Sequence, residues 1–303
     1  MNTSGRTNCS EIPLFELGQK LLSEFSKYSN INLWSLEYLT ATYSWLLDVI
    51  HIETCNLTRE ECVKDIIESI VKGYRCNSDR VKELLRESKE FLNKVSSALL
   101  SNGYQVREVV MELEGRGVVG TSSDVGRLLF EWGLAFDPYL NLPYIPASTI
   151  KGAIRRAYLR VCRKEFKEAC EIRAEKLFGS TESPGKIGFT DAYPVECLGK
   201  YLLVPDVITP HYVNIKYEKD AMPKPAHYLS IGKGVRFKFF MFYYGGEDID
   251  EELTKDPSSV RSLNDLRILD KALLLSLGLG IGGKTLTGYT HFKLVSYTIK
   301  RLR

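Results

Sequence analysis

Histidine is scarce in this chain: there are four among 303 residues, which leaves little material for acid–base catalysis. Cysteine is sparse too, seven residues with no Cys-x-x-Cys pair. An odd count without paired spacing argues against a disulfide framework, so free thiols in a reducing cytoplasm are expected. Cys55, Cys62 and Cys76 with His51 match no zinc-ligand spacing and read as buried helical thiols; no metal or other cofactor is expected. No apolar run reaches the ~18 residues a membrane span needs, so no membrane partner is expected. Met1 to Ser4 carries no basic segment leading into an apolar core, so no signal peptide is expected either.

The net charge is only +3, which by itself announces no polyanion partner. Its distribution says more. Residues 1–103 carry a net charge of −2 and residues 104–303 carry +5. Lys151 to Lys176 alone holds nine basic and four acidic residues, whereas Glu247 to Asp256 holds six acids and one lysine. Segregation of this kind suits a polyanion on one face and a protein neighbour on another. Hydrophobic residues make up 44% of the chain, ample for a packed core.

Two regions follow from the pattern. Residues 1–103 read as helical, with Leu14, Leu17, Leu21, Leu22 and Phe25 at helical spacing and a second amphipathic run from Trp34 to Ile52. Thr58 and Glu61 form a capping box for a helix over Arg59 to Lys72, closed by Gly73. Ser78 caps a fourth helix with Val81, Leu84, Leu85, Phe91, Leu92, Val95 and Leu99 on one stripe, ended by Gly103. Nothing in this region looks catalytic, and a docking role is expected for it.

Residues 104–303 change character. Gln105 to Leu113 reads as a strand and Arg127 to Phe136 as a second extended stretch. Pro143 and Pro146 hold off a helix that Ser148 is placed to cap, with Ile150, Ala153, Ile154, Ala157, Tyr158 and Val161 as its apolar stripe. A further helix runs to about Leu177 and stops at Gly179. Ile187 to Tyr193, Tyr201 to Val207 and Val213 to Tyr217 read as extended pieces. Tyr228 to Ile231 and Val235 to Tyr243 read as strands joined by the Gly232-Lys233-Gly234 turn. The acidic stretch follows as a loop. Leu266, Leu269, Leu273 and Leu277 mark a last helix, and His291 to Ile299 a last strand. Two strand–helix–strand units in one body indicate an α+β sandwich.

Gly278 through Thr285 matches G-x-x-x-x-G-K-[ST], the phosphate loop of nucleotide hydrolases. That motif works only where a strand enters the loop and a helix leaves it, because the helix start aims its amides at the phosphates. Here a leucine-striped helix enters, and β-branched and aromatic residues follow. The better description is a glycine-rich helix-to-strand turn bearing a lysine, able to let backbone approach something flat or anionic.

Three further segments join this one in a recognisable order. They are Tyr144-Ile145-Pro146-Ala147-Ser148-Thr149-Ile150-Lys151-Gly152-Ala153-Ile154-Arg155, then Leu177-Phe178-Gly179 with Gly188-Phe189-Thr190-Asp191-Ala192, then Pro205 to Tyr212; the fourth runs from Gly280 to Tyr289. Together they resemble the RAMP proteins of CRISPR systems, and among these the sixth-subunit family of type III-B Cmr effector complexes. The resemblance covers about residues 104–300. The chain departs from that pattern at Ala147 and Thr290, where the family usually has glycine.

The resemblance implies an α+β fold with a ferredoxin-like, RNA-recognition-type core and a helical N-terminal addition. It implies a non-catalytic RNA-binding subunit at the guide's 3′ portion. The implied partners are guide CRISPR RNA, target RNA, the repeated backbone subunit, the small helical subunit and a capping RAMP subunit.

Expected RNA contacts fall in three places. Ser148, Thr149, Lys151, Arg155 and Arg156 open a helix whose amides suit a phosphate, against the plainer reading of a cap with solvated arginines. Gly282, Gly283, Lys284, Thr285 and Tyr289 form the glycine loop, against a purely structural turn or, for Tyr289, a half-buried core ring rather than a base-stacking one. His211 and Lys216 lie in an irregular segment that reads as an RNA-facing thumb. His211 is also the residue on which an alternative would rest, a metal-independent endoribonuclease processing CRISPR transcripts, but no second histidine is near it. Asp191 reads as a turn-former. The reversed order around Lys284 predicts that the purified chain does not hydrolyse ATP; turnover that disappears in Lys284→Ala would overturn that reading.

Overall fold

Alternating valines and phenylalanines build the centre of the molecule. The computed structural model describes residues 70–121, 132–166, 169–208, 226–245, 249, 252–254 and 262–300. Strand β1 (Gln105–Leu113) lies between β8 (Val235–Tyr243) and β9 (Phe292–Lys300), antiparallel to both. β4 (Ile187–Phe189) and β5 (Tyr193–Cys197) pair with the other edge of β8, also antiparallel. The sheet order is therefore β4-β8-β1-β9, with β5 beside β4 on the β8 edge. A register shift between Val110 and Met111 marks the β1–β9 pair.

Period-two alternation sends each strand's residues to two covered faces. Val109, Met111, Phe237, Phe239 and Met241 face one layer, made by α2 (Ala147–Phe166) and α4 (Ile268–Leu279). Ile150, Ile154, Ala157 and Tyr158 of α2 and Leu269, Ala272 and Leu273 of α4 fill that core. Val106, Phe240, Tyr193 and Val195 face the opposite side, where Leu92 of α1 (Asp79–Ser101) closes a second cluster. The main cluster also takes in Ile70, Val71, Tyr74, Val81 and Leu85, so the segment from residue 70 through α1 is packed onto the same body as the sheet. Ser78 caps α1 as its sequence indicates, accepting the Val81 amide at 3.3 Å. The fold is thus mixed α/β on an antiparallel sheet.

Beside the main sheet stand two ribbons. β2 (Phe136–Asp137) pairs with β3 (Leu142–Pro143), and β6 (Leu203–Ile208) pairs with β7 (Ala226–Ile231). The Gly232–Gly234 turn hands the chain from that second ribbon to β8, so β7 takes β6 as its partner. The α3 helix (Cys170–Phe178) follows α2. The first half of the Arg127–Phe136 stretch, the helices expected before residue 70, and the Val213–Tyr217 stretch lie outside the described residues. Among the described residues no helix is long and apolar enough to cross a membrane, and no group of three or more His, Cys, Asp or Glu is arranged to hold a metal ion.

Two expectations change. Cys162 is disulfide-bonded to Cys170 and Cys76 to Cys197, where free thiols were expected. No spacing rule reveals either pair, because folding brings them together: the first links the end of α2 to the start of α3, and the second ties the segment before α1 to the end of β5. The acidic stretch, expected as a solvated loop, is partly internal. Ile249, Glu252 and Leu253 are buried. Glu252 is held by the Arg173 guanidinium of α3, and Asp270 accepts the Thr254 amide at 2.5 Å and the Tyr297 hydroxyl at 2.5 Å. These carboxylates serve the core as acceptors, which removes them from the charge offered to a neighbour.

Removing one member of a buried ion pair strands the other in low dielectric. Arg173→Ala should therefore destabilise the fold by about 3 kcal/mol, seen as a lower melting temperature. Arg173→Met with Glu252→Met should recover most of that loss.

Candidate nucleic-acid interface

The first expected contact region is organised by two motifs far apart in sequence. Ile145 and Ala192 exchange backbone hydrogen bonds at 2.9 Å in both directions. This brings Asp191 under the helix start, where the Ala147 N–H donates to its Oδ1 at 2.6 Å. The Pro146 carbonyl accepts the Thr149 and Ile150 amides at 2.9 and 3.1 Å. Helix α2 therefore begins at Ala147, and Ser148 stands inside its first turn rather than capping it. The cap is supplied by Asp191, whose negative charge also suits the positive helix end. Ser148 and Arg156 are exposed, while Thr149, Lys151 and Arg155 are half-buried. Among the described residues the buried Arg155 Nε has no hydrogen-bond partner.

The glycine loop is pinned from below. Gly283 N–H donates to the Val118 carbonyl at 2.7 Å, Ile281 N–H to Thr290 O at 2.9 Å, and Thr290 N–H to Arg116 O at 2.8 Å. Gly282, at φ 143°, lies so close to this segment that a Cβ would meet the Val118 oxygen at 2.7 Å. Glycine is required there by internal packing. Helix α4 enters the loop, and a 3-10 turn (Thr285–Thr287) leads out to β9. Thr285 is half-buried and its carbonyl lies 2.8 Å from His291 Nε2. Thr290 is fully buried at φ 60°, a left-handed conformation that explains the family's glycine, and its hydroxyl donates to Gly283 O at 2.7 Å. Ala147, the other departure, simply opens a helix.

Lys284 sits in an aromatic box. Its ammonium lies 4.2 Å from the ring centre of Trp132, 5.0 Å from Tyr228 and 5.4 Å from Tyr289. Desolvation there lowers the lysine pKa, with Asp206 opposing. A hydrogen-bonded chain continues outward. Lys284 Nζ donates to the Tyr228 hydroxyl at 3.4 Å, Tyr228 to Tyr289 at 3.4 Å, and Tyr289 to Asp206 Oδ2 at 2.9 Å. Arg116 Nη1 meets the other Asp206 oxygen at 2.6 Å. Burial would raise the Asp206 pKa, but hydrogen bonds from Tyr289, Arg116 and the Val207 amide outweigh it and the value is lowered. Trp132, Asp206, Tyr228 and Arg116 were not singled out from sequence. Nothing local links them to Lys284; only the β6–β7 ribbon and the strand exit after β1 bring them there.

The two regions share one end of the helical layer. Lys271, near the start of α4, pairs with Glu165, near the end of α2, at 2.6 Å. Since the two helices pack along their lengths, they run antiparallel, and the glycine loop leaves α4 on the N-terminal side of α2. His211 and Lys216 lie outside the described residues.

The RAMP superfamily model matches residues 128–293. The chain belongs to the RAMP superfamily. Within it the chain falls in the Cmr6 family, being 34% identical over 238 residues to the CRISPR system CMR subunit Cmr6 of Saccharolobus solfataricus, across 78% of this chain and 72% of that one. This RAMP protein also superposes, with a TM-score of 0.68 and 29% identity, on a chain in the cryo-EM structure of the Type III-B Cmr-beta bound to cognate target RNA; 90% of this chain and 93% of that one are covered. The crystal structure of Cmr6 from Pyrococcus furiosus gives 21% identity and a TM-score of 0.39, over 64% of this chain and 99% of that one. The family motifs are thereby given physical content: the Tyr-Ile-Pro-Ala segment and the Phe-Thr-Asp-Ala segment are two halves of one helix cap.

Asp191→Ala should cost about 1 kcal/mol, the usual worth of a side-chain cap, measured by urea denaturation. Amide exchange should rise at residues 147–150 while the sheet stays protected; unchanged exchange there would show that Asp191 does not hold the helix start.

Proposed function

We propose that this RAMP protein is a non-catalytic RNA-binding subunit of a type III-B CRISPR RNA-guided effector complex, acting in antiviral defence by target RNA interference. The observation that carries the reading is the family match, whose span takes in both the α2 start and the glycine loop. The core is proposed as ferredoxin-like, a reading supported by the chain order β1-α2-β4-β8-α4-β9 on an antiparallel sheet ordered β9-β1-β8-β4.

The proposed position is at the guide's 3′ portion. The proposed neighbours are the repeated backbone subunit, the small helical subunit and a capping RAMP subunit, with guide and target RNA as nucleic-acid partners. Residues 1–103, with their net negative charge, are proposed as the docking region, and residues 104–303 as the RAMP domain. A cytoplasmic location goes with this reading.

RNA is proposed to be held jointly by Ser148, Thr149, Lys151, Arg155 and Arg156 at the helix start and by Gly282, Gly283, Lys284, Thr285 and Tyr289 in the loop, with His211 and Lys216 as further contacts. The antiparallel packing of α2 and α4 supports joint use. The box around Lys284 fixes where its charge stands, and a fixed charge serves phosphate without reading base edges, which a subunit accepting any guide needs. Exposed Arg156 and half-buried Lys151 supply charge on the helix side.

Lys151→Ala and Lys284→Ala should each weaken RNA binding by about tenfold, the order expected for one charge-assisted contact, and equally for unrelated sequences. Equilibrium binding across a salt series checks this, with circular dichroism confirming the fold. Full affinity in the folded double variant would move the RNA site elsewhere. Cleavage of RNA by the isolated chain, lost in His211→Ala, would replace this reading with the endoribonuclease.

A further inference from the structure

One surface feature is used neither by the family motifs nor by the contacts proposed above. An open groove runs between the 198–201 loop and the 232–234 turn, and Glu112 and Arg116 line its far side. At its base the two loops touch backbone to backbone. A Cβ on Gly199 would come within 2.2 Å of the Lys233 carbonyl, and one on Gly232 within 2.1 Å of the Tyr201 carbonyl. Glycine at both places lets the two loops close on each other. Leu198 N–H donates to Gly234 O at 3.0 Å and Gly232 N–H to Leu202 O at 2.9 Å. The segment before α1 braces the outer wall, with Cys76 N–H on Lys200 O at 3.1 Å, Leu202 N–H on Tyr74 O at 2.8 Å, and the Cys76–Cys197 disulfide.

Its charges are unbalanced in a specific way. The carboxylates near it are already satisfied. Glu112 meets Arg236 at 2.8 Å and Lys293 at 2.8 Å, and these partners hold its pKa down. Asp206 is held by Arg116 and Tyr289. The lysines on the rims are not so engaged. Lys200 and Lys233 are exposed, and among the described residues neither pairs with a carboxylate. The Lys200 ammonium lies over the Tyr201 ring, 5.3 Å from its centre, and the Arg75 guanidinium 5.9 Å from it, so an incoming base would take the place that the exposed Lys200 now holds. Arg116 is half-exposed at one end and, through Asp206 and Tyr289, adjoins the box that holds Lys284. The glycine loop is thus joined to the groove through Tyr289, Asp206 and Arg116.

We propose that this groove is a second RNA subsite, which carries a single strand onward from the glycine loop, with Lys200 and Lys233 on its phosphates and Tyr201 beneath a base. Tracks that alternate cations with rings bind single strands without reading sequence. An acidic peptide would use the lysines but would leave the ring without a role. The proposal rests on the RNA-binding reading above, and its test separates the two.

The full chain is titrated with a fluorescent uridine homopolymer across a salt series, then crosslinked to it by ultraviolet light and mapped by peptide. In Lys200→Ala/Lys233→Ala, affinity should fall about tenfold or more, and the slope of log affinity against log salt should flatten by about 1.4, or 0.7 for each lost phosphate contact to a single strand. Lys200→Arg/Lys233→Arg should restore both. Crosslinks should fall on Tyr201 and disappear in Tyr201→Leu. An unchanged slope with crosslinks confined to the α2 start and the glycine loop overturns the groove and leaves the RNA-binding reading intact. No RNA binding by the unaltered chain overturns both. In the assembled complex, crosslinking of Lys200 or Lys233 to another subunit in place of RNA overturns the groove alone.

Discussion

The Val118 carbonyl, accepting the Gly283 amide, is the contact on which the rest of the proposed RNA surface depends. It fastens the loop after α4 to the chain leaving β1. Once that register is set, Thr290 falls onto the Arg116 carbonyl, and Lys284 falls among Trp132, Tyr228 and Tyr289. Arg116 in turn reaches Asp206 and the mouth of the groove. A side chain on Gly282 would push the two segments apart, and every later contact would move with them. The glycines of this loop are therefore explained first by packing, and their service to a ligand follows from where that packing leaves the lysine.

Periodic elements were legible in the sequence, and long-range polar contacts were not. The alternation in β8 identified its buried face because Val235, Phe237, Phe239 and Met241 all point into one helical layer. The α2 stripe was legible for the same reason, a regular period against a single apolar layer. The start of α2 was misread by two residues because a local serine looks like a cap, whereas the observed cap, Asp191, comes from a different motif across an isolated Ile145–Ala192 bridge. Lys284 and Tyr289 were recognised from their glycine loop, but the other two rings of the box, Trp132 and Tyr228, were invisible, since each comes from a distant part of the chain. The acidic stretch was misread because composition cannot distinguish a solvated carboxylate from one buried against Arg173. Helix and strand propensities act within a few residues; these acceptors act between elements.

The chain tolerates local strain where tertiary contacts compensate. Thr290 and Lys284 both adopt positive φ, at 60° and 54°. A non-glycine residue in that region costs on the order of 1–3 kcal/mol. Thr290 recovers part through its buried hydroxyl bond to Gly283, and Lys284 through the three rings, since a partly desolvated cation–π contact can reach about 2 kcal/mol. The family's glycine at position 290 avoids the strain and forgoes the hydroxyl bond.

The central place of β1 has a consequence for how the protein comes to be. Val106 pairs with Phe242 on one side and with Lys300 on the other, so the first strand of the sheet waits more than a hundred residues for one neighbour and almost the whole remaining chain for the other. Closing loops of that length costs entropy before any pairing rewards it. During synthesis β1 and the helix before it leave the ribosome with both edges of the strand unpaired, able to recruit a foreign strand in place of the correct one. The amphipathic α1, packed beside β1 in the finished structure, precedes it in the chain and is available early enough to shelter it.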